Sequence, residues 1–124
     1  ATITYPWKLV IGDYSWIGDE VTLYTLGELE IGAHSVISQK SYICTASHDM
    51  ASATFEIFDH KVTIGSRVWI AADVFVAPGV TVADGCVVGA RSSVFGNLPP
   101  MMVCYGYPAI PVRPRLPNES GVPV

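Results

Sequence analysis

IGSRVWIAADVFVAPGVTVADGCVVGARSSV, residues 64–94, carries a large aliphatic side chain at every sixth position: Ile64, Ile70, Val76, Val82, Val88 and Val94. A second ladder runs Ile11, Ile17, Leu23 and then Ile31, Ile37, Ile43. A helix places apolar residues every three or four positions and an ordinary strand every second one, so neither accounts for a strict six. A parallel β-helix does, because each unit of six makes one short strand and one turn. One place after the ladder residue stand Gly12, Gly18, Gly32, Gly65, Ala71, Ala77, Ala83 and Gly89, read as small residues at tight bends. Four places after it stand Ser15, Val21, Ser35, Ser41, Ser47, Val68, Val74, Val80, Cys86 and Ser92, small or β-branched residues read as corner fillers. Three units make one triangular coil, and neighbouring coils stack at about 4.8 Å, the spacing of hydrogen-bonded strands. The predicted fold is therefore all-β, a parallel β-helix of about four coils.

The chain has 124 residues, half of them apolar and only 15% charged. That describes one domain, read as a β-helix over 1–98 with an inserted loop at 49–63 and a C-terminal extension over 99–124. The ladder explains part of the apolar content. The remainder points to flat outer faces that pack on other subunits, since the faces and ends of a solenoid need covering. A net charge of −4, with no basic stripe, argues against nucleic acid or an anionic membrane as the main partner. No apolar run is long enough to span a membrane and no N-terminal signal is evident. Cys44, Cys86 and Cys104 are odd in number and lack CxxC spacing, which fits a reduced, cytoplasmic protein with packed, inert thiols. The chain opens at Ala1 without a methionine and is read as a processed, truncated or partly represented protein.

Function in a regular solenoid is expected where the regularity fails. Between Leu23 and Ile31 two extra residues fall around Leu26-Gly27-Glu28-Leu29, a predicted bulge at a corner. A longer break runs from Asp49 to about Val62 and contains Phe55, Phe58, Asp59 and His60. After Val94 the repeat gives way to Phe95-Gly96-Asn97-Leu98-Pro99-Pro100, and the prolines are expected to end the β-helix. Leu116 to Val124 reads as a frayed end.

Of the three histidines, His34 falls at an outward turn position and reads as a solvated surface residue. His60 lies in the inserted loop beside Asp59 and Lys61, as a loop anchor or substrate contact. His48 ends the hexapeptide Ile43-Cys44-Thr45-Ala46-Ser47-His48 at the root of the long loop, with Asp49 following. An imidazole held there is suited to taking a proton at neutral pH, as a general base must.

With these features the sequence resembles the hexapeptide-repeat acyltransferases, the group with maltose and galactoside O-acetyltransferases and the colanic-acid-type exopolysaccharide acetyltransferases. The likeness covers Ile11 to Arg115. It is carried by Cys44-Thr45-Ala46-Ser47-His48-Asp49, Val68-Trp69-Ile70-Ala71-Ala72-Asp73-Val74, Ala77-Pro78-Gly79-Val80-Thr81-Val82, Val88-Gly89-Ala90-Arg91-Ser92-Ser93-Val94, Pro99-Pro100 and Gly106-Tyr107-Pro108-Ala109. The resemblance implies a left-handed β-helix, a homotrimer and an active site in each groove between subunits. It implies acetyl-CoA as co-substrate and a sugar or exopolysaccharide-precursor hydroxyl as acceptor, with His48 as general base. Trp69 would line the site, with Asp49 and His60 near the acceptor. The backbone N–H at Ala72 would serve as oxyanion donor, a role suited to a tetrahedral intermediate. Ala72 and Ala90 would border the pantetheine arm, and Arg113 would meet the CoA phosphates. Two departures stand out. Phe95-Gly96 replaces the family's Thr-Lys near CoA, which passes the phosphate contact to Arg91, Arg113 or Arg115, and Tyr107 replaces an asparagine. N-acylation of an amino sugar and a non-catalytic binding solenoid remain alternatives. A zinc enzyme of this fold would need three histidines around the metal; the spacing of His34, His48 and His60 does not provide them, so no metal is expected.

Overall fold

The computed structural model describes residues 1–116, and the chain forms a three-faced parallel β-solenoid. Four coils, 9–24, 29–44, 62–76 and 81–94, each give one short strand to every face. The first face stacks Leu9–Ile11, Leu29–Ile31, Val62–Ile64 and Thr81–Val82. The second stacks Trp16–Ile17, Val36–Ile37, Trp69–Ile70 and Val87–Val88. The third stacks Thr22–Tyr24, Tyr42–Cys44, Phe75–Val76 and Ser93–Val94, with Thr2–Ile3 added below. One 3₁₀ turn, Pro6–Lys8, is the sole helical element among the described residues.

The ladder residues point inward and stack on one another: Ile31 pairs with Ile64, Ile64 with Val82, Ile37 with Ile70 and Ile70 with Val88. From Leu23 to Val94 all of them are buried. Each such side chain stabilises the fold by roughly 1.5–3 kcal/mol. Ile11 and Ile17 are only partly covered, because their strands lie at the edge of their sheets. Contacts one coil apart are separated by 20 residues across the first coil, 33 across the long insertion and 18 in the regular part. The first figure confirms the two extra residues near Gly27.

The small residues after the ladder positions have a different cause from the one the sequence suggests. None of those glycines has positive φ; the left-handed residues come two places later, at Tyr14, Glu20, His34, Lys40, Arg67, Asp73 and Arg91, with φ of 56–64°, and at Gly79 and Gly85. The slot is small because the next coil passes directly over it. A Cβ on Gly12 would lie 2.6 Å from Ala33 N, and one on Gly32 would lie 2.6 Å from Ser66 N. Buried serines then tie coil to coil: Ser35 Oγ donates to Gly65 O and accepts from Val68 N, and Ser41 Oγ does the same with Ala71 O and Val74 N.

Two boundaries move. The insertion departs after Cys44 and returns by Val62, which already pairs with Leu29. It is an antiparallel hairpin, Ala46–His48 against Ile57–Asp59, so Ser47 is exposed and fills no corner. At the other end the coil continues beyond Pro99-Pro100. Leu98 bridges to Val82, and Met102–Gly106 adds a parallel strand to the second face before Ala109–Pro114 returns antiparallel. The prolines fall in the corner between the first and second faces, where no ladder N–H is required.

Candidate active site

His48 stands on the hairpin that leaves the corner between the third and first faces. Its Nδ1 lies 2.8 Å from the carbonyl oxygen of Phe55. A carbonyl can only accept, so Nδ1 carries the hydrogen and Nε2 keeps its lone pair, the tautomer a general base needs. Phe55 holds φ of 49°, in the left-handed region, so its carbonyl is aimed by an unusual backbone conformation. Asp49 does not orient the imidazole. Its Oδ1 accepts the N–H of Ala51 and its own N–H donates to Glu56 O, closing the tip of the hairpin.

The hairpin root is fixed by buried Thr45, whose Oγ1 donates to Tyr24 O and accepts from Gly27 N. That one hydroxyl joins the Gly27 bulge to the insertion, so the two irregularities in the repeat form one corner. His60 lies on the returning side: its N–H donates to Thr45 O, and its ring stands 5.3 Å from that of Phe58. Between the hairpin and the third face lies a hollow of about 250 Å³ lined by Tyr24, Tyr42, Cys44, Ala46, Ser47, His48 and Ile57. Tyr42, pushed above the ordinary phenol range mainly by burial and then by Cys44 and Tyr24, keeps its hydroxyl proton. Sequence reasoning missed Tyr24 and Tyr42. The available signal was Tyr24 itself, which with Phe95 is one of two bulky rings in a slot that otherwise holds Gly, Ala, Ser or Cys.

Trp69 lies on a different face. Its indole Nε1 donates to Ser38 Oγ at 2.9 Å, and the ring is 39% exposed on the second face. Ala72, Ala90 and Arg91 gather at the corner between the second and third faces, where Arg91 N donates to Ala72 O. Among the described residues the N–H groups of Ala72 and Ala90 have no partner, so both are available to a ligand. Arg91 is exposed, with only a 3.9 Å contact to Asp73. Phe95 stands at the third–first corner, exposed, its ring 5.9 Å from that of Phe75. Phe75 continues through Tyr42 to Tyr24, so an aromatic row runs up the third face from the His48 hollow. Arg113 sits on the last strand opposite Val103. Arg115 bridges the first–second corner, its Nη1 donating to Arg67 O and Gly85 O. The site residues expected from the sequence thus spread over the three edges of the prism: His48, Asp49, His60 and Phe95 at the third–first edge, Ala72, Ala90 and Arg91 with Trp69 at or beside the second–third, and Arg115 at the first–second, while Arg113 lies on the last strand of the second face.

A six-residue parallel solenoid interrupted by a histidine-bearing hairpin defines a class, and comparison with known proteins agrees. Residues 61–96 match the family model described as bacterial transferase hexapeptide (six repeats). The chain is 64% identical over 117 residues to the Escherichia coli (strain K12) protein provisionally named colanic acid biosynthesis acetyltransferase WcaF, covering 94% of this chain and 64% of that protein. It is 32% identical to the galactoside O-acetyltransferase of the same organism, over 84% of this chain and 46% of that one. A hexapeptide-repeat acetyltransferase from Vibrio cholerae, solved with acetyl coenzyme A, superposes with a TM-score of 0.88 at 28% identity, covering 93% of this chain and 64% of that one. Residues 61–96 thus carry the repeats of the bacterial transferase hexapeptide model, and along nearly its whole length the chain is similar to hexapeptide-repeat acetyltransferases. It spans 64% of the length of WcaF. No helix among the described residues is long and apolar enough to cross a membrane.

Proposed function

We propose that the protein transfers an acetyl group from acetyl-CoA to a hydroxyl of a saccharide, in a cytoplasmic homotrimer whose sites lie between neighbouring copies. The observation that carries this is the division of the site. His48 with its fixed tautomer occupies one edge of the prism, and the free N–H groups of Ala72 and Ala90 with Trp69 occupy another. Neither edge suffices alone; two copies side by side bring one edge to the other.

His48 Nε2 takes the proton of the acceptor hydroxyl as its oxygen attacks the thioester carbonyl. The N–H of Ala72 donates to the oxyanion that forms, a contact that strengthens as charge develops. Collapse breaks the carbon–sulfur bond, and His48 returns the proton to the departing CoA sulfur. Tyr24 and Tyr42 border the acceptor, Trp69 from the neighbouring copy closes the groove, and Arg91 with Arg113 meets the phosphates of CoA. The relatives support this reading: the 64%-identical protein carries the name of an exopolysaccharide acetyltransferase.

The test is subunit complementation. His48→Ala and Trp69→Ala variants, each inactive alone, are mixed, unfolded and refolded together. Random mixing gives about a quarter of sites with both intact residues if they come from different copies. Recovery of CoA release with a saccharide acceptor supports the shared site; none after confirmed mixing removes it.

A further inference from the structure

The second face carries two large indoles that the fold does not require. Trp16 pairs in register with Val36, and Val36 with Trp69, so both rings project from one face two strands apart. Two strand spacings are about 10 Å, the span of a disaccharide. Trp16 is 68% exposed, and with Val36 and Trp69 it forms a continuous apolar stripe. Trp69 is held down by Ser38 Oγ. Polar groups border the stripe on one side. A hollow of about 420 Å³ beside Trp16 is lined also by Gly18, Asp19, Glu20, Gln39 and Lys40. It opens at the same prism edge that carries Ala72 and Ala90, one and two coils further along.

Flat apolar rings at a regular spacing, bordered by carboxylates, an amide and an ammonium group, are complementary to a chain of pyranose rings. Each sugar offers a face of C–H groups to an indole and hydroxyls around its rim. A protein or lipid partner would be matched less well, because the stripe is one ring wide and the margin it shares with Asp19, Glu20, Gln39 and Lys40 is polar. We propose that Trp16 and Trp69 form a track for a saccharide chain, with Trp69 holding the unit to be acetylated and Trp16 holding the chain two units away. Asp19, Glu20 and Gln39 accept and donate hydrogen bonds at the distal unit. The inference rests on the transferase reading only in naming this chain as the acceptor.

The experiment compares methyl galactoside with β-1,4-galactotetraose by calorimetry on the whole protein, alongside CoA release with each. Stacking on a second ring predicts that the wild type binds the tetrasaccharide about tenfold more tightly than the monosaccharide. Trp16→Ala erases most of that difference, and Trp16→Phe restores much of it. A melting temperature within a few degrees of wild type confirms the folded variant. Equal affinity of the wild type for both sugars overturns the track, as does a Trp16→Ala variant that keeps the preference. Tighter tetrasaccharide binding through Trp16 with no CoA released from any saccharide retains the track and refutes the transferase. Acetylation of the monosaccharide with no preference for the longer chain does the reverse.

Discussion

Replacing His48 separates chemistry from folding, because its surroundings fix what each change removes. The side chain is exposed on the hairpin and, among the described residues, makes one hydrogen bond, from Nδ1 to Phe55 O at 2.8 Å. His48→Ala therefore loses one exposed hydrogen bond, about 0.5–1.5 kcal/mol, and leaves the buried ladder intact. A sugar hydroxyl is too weakly acidic to ionise unaided at neutral pH, so loss of the base lowers kcat by about 10² to 10⁴, about 3 to 5.5 kcal/mol of barrier. The loss in rate thus exceeds the loss in stability by several-fold in free energy. Affinity for CoA changes little, since the donors proposed for it lie on another edge. His48→Asn keeps a side-chain N–H able to reach a carbonyl but has no base, so it should match His48→Ala in rate while regaining part of the stability. The assay is CoA release at saturating acetyl-CoA and acceptor, with thermal melts and CoA calorimetry on the same preparations. A His48→Ala protein with wild-type kcat refutes the mechanism and passes the base to His60. A collapse in melting temperature matching the loss in rate refutes the claim that the residue is chemical.

Gly32→Ala brings a Cβ to 2.6 Å from the backbone of the next coil and should destabilise by about 1–3 kcal/mol by overpacking, read by chemical denaturation. Arg115→Ala and Arg91→Ala should diverge. The first removes a guanidinium bridging two coil carbonyls and lowers the melting temperature; the second, with only an exposed 3.9 Å ion pair, changes stability by less than about 0.5 kcal/mol but weakens CoA in a salt-dependent way, as calorimetry at two ionic strengths would reveal. Burial pushes the thiols of Cys86 and Cys104, 3.7 Å apart, above their ordinary range. Because the folded values lie above the unfolded ones, the stability they contribute is complete below the ordinary thiol range. It is lost at up to about 1.4 kcal/mol per pH unit per thiol as pH rises past about 9. Denaturation midpoints that stay level from pH 8.5 to 10.5 would count against this.

The six-residue period made the solenoid legible in the sequence, because in this fold the residues that touch recur at a constant spacing. Ile31, Ile64 and Val82 declare their stacking in one dimension, and the two extra residues near Gly27 were countable for the same reason. Slot size was legible too, though its cause was not: Gly32 is small because of a neighbour in the adjacent coil, and the left-handed turn lies two residues later, at His34. The insertion escaped the reading because it leaves the periodic lattice and pairs with itself, so nothing in the repeat predicts that Ser47 faces solvent. The same holds for Pro99-Pro100, harmless at a corner and disruptive within a strand.

The expectations for His48 and Trp69 came from motif and position. Sequence spacing does not reveal that the two residues occupy different edges of the prism, since 21 positions along a coiled chain say nothing about direction until the corners are placed. The tautomer of His48 depends on a carbonyl seven residues away, aimed by the left-handed turn at Phe55. The bridging of two coil carbonyls by Arg115 depends on the return of the final strand. The repeat, the ladder and the places where the repeat fails follow from local spacing and side-chain size, and so can be read in one dimension. Which carbonyls, hydroxyls and rings those failures bring together is settled in the folded chain, because hydrogen-bond partners across a hairpin or a corner are set by three-dimensional closure and have no period to read.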